Sequence, residues 1–583
     1  MMNVQSLLDE RYPRLSQRNG KSYRTILVFL RLLFKESSLQ QFQIDYPHLS
    51  GFDFIEQTLR YFDFSLRIQD KERARIPASG RVVIAANHPL GSLDGLALLS
   101  LIRQVRPDVK VIANDLLTAV QPLHPVLLPV NNMGGNTGRK QLRAIRDHLE
   151  REGALIIFPA GEVSRLSPKG IKDCTWQSGF VKIASGTQSP ILPVFLAGRN
   201  SIFFYGVSAF AKPLSTLLLV REMFLQRHNI VDIRVGRAIP HNHYSRLEVS
   251  PHQLAALFRK HVYRLARDGR PVFQSVETVA HPENRLLLKQ EVERSEWLGR
   301  TPDGKQIYVA TMDQAPCVIR EIGRLRELAF RSVGEGSGQP RDIDRFDKHY
   351  QHLILWDREH LEIAGAYRLG PARHIVQLHG IEGLYTHTLF DYGNGVDELM
   401  EHGLELGRSF VQARYQDRRS LDYLWCGLGA FLNKYSDYHY LFGPASISPL
   451  YGQQNTARLV HHYSTHYPAD RFEARARVPF EVSHEQLTGF RKEMHGYDQE
   501  KQFNCLRHAL AESGMSVPTL FKHYAQATDP GGVQFCAFNV DAAFGQCVDA
   551  LIIADLQQLQ QRKRKRWMGG AGYQQAAAPL AAA

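Results

Sequence analysis

Four short apolar runs between residues 82 and 195 alternate with helical stretches, and this alternation restricts the possible folds more than any other feature of the sequence. The runs are Val82–Ala86, Val109–Ala113, Ala154–Phe158 and Pro190–Phe195. Each is short and continuously apolar, as buried strands are, and helical patterns cover Leu96–Arg103 and Arg139–Glu152 between them. Strands that alternate with helices indicate an α/β sheet with parallel character.

A second mixed α/β region extends from about Ile307 to Leu556, beyond turn residues at Asp268–Pro271 and Thr301–Gly304. Its clearest strands are predicted at His352–Trp356, Gly365–Leu369, Phe535–Asn539 and Val548–Ile553. We therefore predict an α/β protein of two domains, each a mixed, partly parallel sheet flanked by helices. The predicted divisions are a basic helical segment (1–69), a first domain (70–270), a connector (271–300) with a helix at Leu286–Trp297, a second domain (301–556) and a basic, disordered tail (557–583).

The composition excludes a largely disordered chain and favours a reducing compartment. Hydrophobic residues make up 44% and charged residues 22%, which is an ordinary globular balance. The six cysteines are scattered and form no CxxC pair, so neither a disulfide framework nor a structural zinc site is expected. No run reaches the roughly 18 apolar residues of a membrane span, and residues 1–9 lack the apolar core of a secretory signal.

The formal net charge of +13 indicates an anionic partner, either nucleic acid or an anionic membrane. No nucleic-acid-binding module is recognisable, so we predict a membrane lipid surface and no nucleic acid. Basic residues over 11–24 precede an apolar run at Ile26–Phe34, and a second apolar run covers Ile202–Leu219. These segments predict a peripheral protein on the cytoplasmic face of the inner membrane. The alternatives are a core helix at Ile26–Phe34 and a chain that is simply basic.

His88 and Asp94 follow the first predicted strand, within the motif Asn-His-Pro-Leu-Gly-Ser-Leu-Asp. A histidine can accept a proton from an attacking hydroxyl near neutral pH, and a carboxylate can orient the ring and stabilise the imidazolium. His88 and Asp94 thus form a possible dyad of base and orienting carboxylate with no nucleophilic serine, which suits direct attack of an acceptor hydroxyl on a thioester. The alternative is a pair of ordinary surface or helix-capping residues.

Two further motifs follow in order along the chain: Phe-Pro-Ala-Gly-Glu-Val-Ser-Arg at 158–165, and Pro193 within the fourth strand. Together the three motifs resemble those of the glycerol-phosphate and lysophospholipid acyltransferase family, over about residues 70–240. The resemblance implies that His88 is the general base and Asp94 its partner. The substrate-binding residues that it implies are Arg139, Phe158, Pro159, Gly161, Glu162 and Arg165.

Two departures from the family pattern point to a particular branch. Five residues lie between His88 and Asp94, one more than usual, and Phe-Pro-Glu-Gly is replaced by Phe-Pro-Ala-Gly with Glu162 displaced by two positions. The pattern resembles the divergent, hemolysin-like branch, which acylates lipids other than glycerol phosphates.

Glu405 and Arg408 are the leading candidates in the second domain. A glutamate at a strand end could bind or deprotonate an amine, and an arginine could hold a carboxylate in a fork. The alternative is a structural Glu–Arg or Asp–Arg pair. The region resembles the ornithine acyl-carrier-protein N-acyltransferases, which are GNAT-like and related to the acyl-homoserine-lactone synthases, over about residues 300–555. The matching positions are Asp344, Asp347, Arg368, Glu405, Arg408 and Ser409.

Two acyltransferase units in one chain resemble the bifunctional ornithine-lipid synthases. That resemblance implies that the second domain N-acylates ornithine with a 3-hydroxyacyl thioester and the first domain then O-acylates the 3-hydroxyl. It also implies an acyl-ACP or acyl-CoA donor, acyl carrier protein as a partner, a small amino-acid substrate and no bound cofactor. No His/Cys/Asp cluster in the sequence has metal-ligand spacing, so no metal is expected.

Several other interpretations remain open at the level of sequence. One is a lysophospholipid acyltransferase of single activity with an appended binding module. Another is a non-enzymatic, hemolysin-like membrane protein, against which the His88–Asp94 motif argues. A third is a different head group, such as glycine, lysine or taurine.

Overall fold

The computed structural model divides the chain into two compact units, Met1–His281 and Pro282–Ala583. It describes residues 27–28, 31, 35–113, 120–129, 138–168, 170–210, 212–416, 419–569 and 574–575. Most of the basic and apolar stretch at 11–34, which sequence assigns to a membrane-interface helix, lies outside the described residues. Within the described part, no helix is long and apolar enough to cross a membrane.

The first unit is an α/β layer structure built on one seven-stranded sheet. Its strands are β1 (Ser65–Arg67), β2 (Val82–Ala86), β3 (Lys110–Ala113), β4 (Leu127–Pro129), β5 (Ala154–Ile157), β6 (Arg165–Ser167), β7 (Gly170–Lys172), β8 (Ile191–Leu196) and β9 (Ile230–Val235). Of these, β6 and β7 form a separate two-stranded sheet. Its helices are α1 (Glu36–Asp45), α2 (Gly51–Phe62), α3 (Asp70–Arg73), α4 (Ser92–Arg103), α5 (Arg139–Glu150), α6 (Gly179–Gly186), α7 (Ile202–Phe210), α8 (Lys212–Leu225), α9 (His241–Ser245) and α10 (Pro251–Leu265).

Strand β2 lies in the middle of the seven-stranded sheet, whose order is β1-β9-β8-β2-β5-β3-β4. It pairs in parallel with both β5 and β8. All five of its residues are buried, and they alternate between two apolar clusters on opposite faces of the sheet. The carboxyl ends of β2, β5 and β8 therefore meet at one edge, which is where α/β sheets place their functional groups.

Helix α2 corrects the predicted boundary at residue 69. Ile55 is fully buried and belongs to the same apolar cluster as the central strand, and Phe62 is also buried. Strand β1 pairs in parallel with β9. Residues 51–67 are thus part of the first domain and not of a separate basic segment, because their apolar face completes the core of the sheet.

The second unit has a larger sheet with helices on it. Its strands are β10 (Glu296–Arg300), β11 (Gln306–Ala310), β12 (Gln351–Asp357), β13 (Glu362–Pro371), β14 (Phe390–Tyr392), β15 (Gly403–Val411), β16 (Tyr440–Ile447), β17 (Ala474–Ala476), β18 (Val533–Asp541), β19 (Cys547–Asp555) and β20 (Gln574–Gln575). Its helices are α11 (Arg285–Arg294), α12 (Pro316–Ser332), α13 (Ala372–His379), α14 (Val396–His402), α15 (Ser420–Lys434), α16 (Gly452–His466), α17 (His484–Met494), α18 (Gln499–Glu512), α19 (Thr519–Ala525) and α20 (Gln561–Trp567).

This sheet has nine strands in the order β18-β19-β16-β15-β13-β12-β11-β10-β20. Only β15 and β16 pair in parallel among the described strands, and the other neighbours are antiparallel. Both units are mixed α/β, so the predicted fold class is confirmed.

Two predicted segments take a different form. The helix expected at Leu286–Trp297 ends at Arg294, and Trp297 lies in β10, where it pairs with Tyr308 of β11. Residues 285–300 of the predicted connector therefore belong to the second unit.

The predicted disordered tail contains α20, because Trp567 is buried and its ring stacks on Trp425 with centroids 4.7 Å apart. Residues 570–573 and 576–583 lie outside the described part.

Candidate active sites

His88 and Asp94 lie in contact at the carboxyl end of β2. The Nδ1 atom of His88 is 3.3 Å from Oδ2 of Asp94, and the Asp94 side chain is fully buried while the His88 side chain is 18% exposed. The pair can therefore accept a proton from an incoming molecule.

The first turn of α4 fixes the Asp94 carboxylate. Its Oδ2 accepts a hydrogen bond of 2.8 Å from the backbone N–H of Leu90, and its Oδ1 accepts one of 2.9 Å from that of Gly95. The preceding loop is closed by Gly91, whose φ of 103° is a conformation that residues with a side chain rarely adopt. This loop brings Asp94 to the His88 ring despite the additional residue in the motif.

The His88 ring also stacks on Phe158, with centroids 4.2 Å apart. Phe158 directly follows β5, so the second motif supplies a wall of the site. Burial acts to lower the pKa of His88, but the negative charge of Asp94 and its bond to the ring outweigh burial, and the pKa is raised above its ordinary value. A raised pKa makes the imidazole a stronger base.

Asp173 is a buried carboxylate beside His88 that sequence reasoning missed. It accepts hydrogen bonds from the Ser164 hydroxyl (2.6 Å), the Trp176 indole N–H (2.9 Å) and the His88 backbone N–H (3.3 Å). The backbone N–H of Ser164 also donates to the carbonyl of His88 at 2.8 Å. Asp173 therefore ties the first and second motifs together. No local pattern marks it, since 85 positions separate it from His88.

The other predicted residues of the first unit differ in how they relate to the His88 site. Gly161 has a φ of 67° and closes a turn through an N–H bond to the carbonyl of Phe158, and the carbonyl of Pro159 accepts from Gln177. Arg165 pairs with Glu162 at 3.0 Å and bonds to Ser208 of α7. Arg139 is exposed at the start of α5, and no described contact joins it to the His88 site.

The second unit contains a buried ion network that includes four of its predicted residues. Asp344 caps a short 3₁₀ turn at Arg345–Lys348 and accepts two hydrogen bonds, of 2.7 and 2.8 Å, from Arg368. Asp347 accepts a bond of 2.8 Å from Arg326, a helix residue that sequence reasoning did not select. Asp344 also lies 3.5 Å from Arg408.

Glu405 is a member of strand β15 and not a strand-end residue as predicted. It lies opposite Gly370 of β13 and Phe442 of β16. Its side chain is buried, accepts a bond from the Tyr350 hydroxyl and accepts a second of 2.7 Å from the backbone N–H of Thr386. Burial raises the pKa of Glu405, and these hydrogen bonds partly oppose that rise. A raised pKa makes the carboxylate a stronger base.

The guanidinium of Arg408 lies between charged and aromatic groups. It is 3.4 Å from Asp342, and it faces the rings of Tyr385 and Phe544 at 4.7 and 4.3 Å. Arg408 has a φ of 52°, an unfavourable conformation that the surrounding contacts maintain. Ser409 is not part of this group, since it bonds to Tyr367.

Three carboxylates that are not among the predicted site residues lie near Arg408 or its neighbour Tyr385. Asp541 accepts a bond of 3.3 Å from the hydroxyl of Tyr385, and Asp549 accepts one of 2.6 Å from Ser446. Burial and the charge of Asp549 raise the pKa of Glu335 to about 7, against an opposing effect of Arg408. Burial likewise raises the pKa of Asp549 to about 6. Arg408 therefore interacts electrostatically with Glu335 and Asp549.

No group of three or more His, Cys, Asp or Glu side chains within the described residues could hold a metal ion.

Comparison with known families matches both units. Residues 7–267 match the "Acyltransferase" family, and residues 325–426 match the "Acetyltransferase (GNAT) domain" family. A lyso-glycine lipid O-acyltransferase of Phocaeicola vulgatus is 29% identical and aligns over 43% of this chain and 92% of its own length. A glycine N(alpha)-acyltransferase of Bacteroides thetaiotaomicron is 32% identical, over 50% of this chain and 89% of its own length. An L-ornithine N(alpha)-acyltransferase of Brucella abortus is 32% identical over 22% of this chain and 49% of its own length.

The fold, the His88–Asp94 contact and these matches define the chain as an acyltransferase. It joins an acyltransferase domain to a GNAT domain in one polypeptide, and this combination matches that of a bifunctional ornithine-lipid synthase.

Proposed function

We propose that the chain makes an aminolipid in two steps. The second unit transfers a 3-hydroxyacyl group from a thioester to the α-amine of ornithine, forming an amide and releasing the thiol. The first unit then transfers a second acyl group to the 3-hydroxyl of that product, forming an ester. The observation that carries the proposal is the contact of His88 with Asp94 at 3.3 Å, at the carboxyl end of β2.

In the O-acylation step, His88 accepts the proton of the 3-hydroxyl while the oxygen of that hydroxyl attacks the thioester carbonyl. The buried carboxylate of Asp94 stabilises the imidazolium that forms. His88 then returns the proton to the departing thiolate, so the histidine ends the cycle neutral. An acceptor without a glycerol phosphate agrees with the altered second motif.

In the N-acylation step, Arg408 is suited to bind the carboxylate of the amino acid. Glu405 is suited to accept a proton from the attacking amine, because burial raises its pKa. We propose an acyl-ACP donor for this step, with acyl-CoA as the alternative thioester. Acyl carrier protein and a small amino acid are then the partners of the second unit.

Ornithine is favoured over glycine by the carboxylates near Arg408. An amino acid with a second amine presents one negative and two positive groups, and Glu335 and Asp549 offer a place for a cation that glycine would leave empty. The relatives include both a glycine N(alpha)-acyltransferase and an L-ornithine N(alpha)-acyltransferase, so the preference for ornithine is argued from these carboxylates.

The experiment is to supply the purified full chain with L-ornithine or glycine and a 3-hydroxyacyl thioester on ACP or CoA. Mass spectrometry then follows the mono-acylated amino acid and the diacylated lipid. We expect both products with ornithine. The variant His88→Ala should accumulate the mono-acylated product, since losing general-base catalysis costs about 10² to 10⁴ in rate.

The variant Glu405→Gln serves as the complementary case. It should slow N-acylation but still O-acylate a supplied N-(3-hydroxyacyl)ornithine. Unchanged two-chain lipid from His88→Ala would contradict the proposed base. Acylation of lysophosphatidic acid with no reaction on ornithine would favour a phospholipid acyltransferase of single activity.

A further inference from the structure

The first unit carries an exposed apolar pair at the start of helix α7. Ile202 is 91% exposed and Phe203 is 57% exposed, although the next two residues, Phe204 and Tyr205, are buried. Large aliphatic and aromatic side chains that are exposed next to each other are typical of surfaces that bind another protein or a membrane. The pair is therefore a candidate docking surface.

The charges beside this pair are positive. Arg199 is exposed three residues before Ile202, and the guanidinium of Arg221 lies 5.2 Å from the centre of the Phe203 ring. Arg221 also donates a bond of 3.0 Å to Glu222, a fully buried carboxylate that accepts further bonds from the backbone N–H and the hydroxyl of Ser201. The exposed pair is thus flanked by the exposed Arg199 and by Arg221, whose side chain is 37% exposed, and this pattern is complementary to an anionic lipid surface.

Helices α7 and α8, the first of which carries the exposed pair, pack directly on the O-acyltransferase motifs. Phe204, Tyr205 and Leu218 form a buried cluster with Val163 of the second motif. The side chain of Asn200 donates a bond of 3.1 Å to the carbonyl of Pro89, the residue after His88. Arg165 bonds to Ser208. A surface that engages lipid here would hold the long-chain acceptor beside the general base.

We propose that Ile202 and Phe203, flanked by Arg199 and Arg221, insert into the interface of an anionic phospholipid membrane and dock the O-acyltransferase unit on it. The inference rests on the proposed function in one respect: docking is needed because the mono-acylated acceptor of the O-acylation step is itself a membrane amphiphile. The binding surface itself does not depend on which head group the enzyme uses.

The test measures binding of the full chain to phosphatidylglycerol-containing vesicles by flotation, with no substrate present. The double variant Ile202→Ser/Phe203→Ser should weaken binding at least about tenfold, because two large apolar side chains no longer enter the interface. The matched control is Leu286→Ser/Leu287→Ser, which removes an adjacent apolar pair, 63% and 47% exposed, from the first turn of α11 in the other unit. The control should bind as the wild type does.

Two further readouts separate the possible causes. Arg199→Gln, at an exposed position, should weaken binding about fivefold at low salt, and this difference should shrink at high salt. Both double variants should retain the wild-type melting temperature and the wild-type rate of O-acylation on a short-chain, water-soluble acceptor. A folded Ile202→Ser/Phe203→Ser chain that binds the vesicles as tightly as the wild type would overturn the inference. So would a wild-type dimer that this variant dissociates while vesicle binding stays unchanged.

Failure of the proposed function has a different signature. In that case vesicle binding would still depend on Ile202 and Phe203, but no acylated ornithine would form in any variant. The binding assay and the product assay thus report on the two proposals separately.

Discussion

Gly91 and Asp94 are coupled through the loop that precedes α4: the φ of 103° at Gly91 turns the chain so that Asp94 reaches 3.3 Å from His88. A Cβ atom at Gly91 would also lie 3.2 Å from Val163 and 3.4 Å from Leu219. The geometry of the dyad therefore depends on a residue that takes no part in the chemistry.

Gly91→Ala should lower O-acylation at least about tenfold, because the unfavourable φ and the contact with Val163 both displace the loop. N-acylation by the same protein should be unchanged, and rates of the two steps measured side by side provide the check. Gly170→Ala is the control, since Gly170 has a φ of 91° but nothing within 4 Å of its Cβ position. Equal loss of O-acylation in both variants would assign the effect to general destabilisation.

Asp94→Asn should move the acid limb of the O-acylation pH profile to lower pH and reduce the plateau. The charge of Asp94 raises the pKa of His88, and His88 acts as a base only when neutral. Without that charge the pKa falls, so His88 becomes neutral at a lower pH but is a weaker base. The measurement is kcat/KM against pH with a supplied N-acyl acceptor. A profile that keeps the wild-type limb would show that Asp94 does not control the ionisation of His88.

Asp347→Asn should destabilise the second unit by about 3–5 kcal/mol, because it leaves the buried Arg326 without its carboxylate partner and removes one of the two carboxylates that face Arg368. Burial raises the pKa of Asp347, but these arginines outweigh it and hold the pKa well below its ordinary value. Calorimetry of the full chain should show an earlier transition for one unit only. Asp391→Asn, at a side chain that is 63% exposed, is the comparison and should leave both transitions in place.

Glu335→Gln should stabilise the second unit increasingly as the pH rises. Burial raises the pKa of Glu335 from 4.5 to about 7, so the folded state resists ionisation that the unfolded state allows. The wild type therefore loses stability between about pH 4.5 and 7, by at most about 1–3 kcal/mol, and the glutamine variant avoids that loss. Urea unfolding at pH 5 and pH 8 provides the check, with Glu359→Gln at an exposed position as the control. A stability difference that is the same at both pH values would contradict the raised pKa.

The features predicted correctly from sequence depend on local patterns. Strand β2 has the predicted bounds because five consecutive apolar residues are recognisable without their neighbours in space. His88 and Asp94 are predictable because they are close in the sequence. Asp173 is not, and neither is the contact of Arg326 with Asp347, since both depend on residues that are distant in the chain. The positions of Trp297 and Trp567 differ from the prediction for the same reason, because pairing with Tyr308 and stacking on Trp425 outweigh local helical or polar character.

The position of β19 has a consequence for synthesis on the ribosome. This strand, near the end of the chain, lies between β16 and β18, and the following helix α20 places Trp567 against Trp425 of α15. The first unit, by contrast, has its last strand in place by residue 235. The first unit can therefore fold while translation continues, whereas the second must remain incomplete until β19 and α20 have emerged.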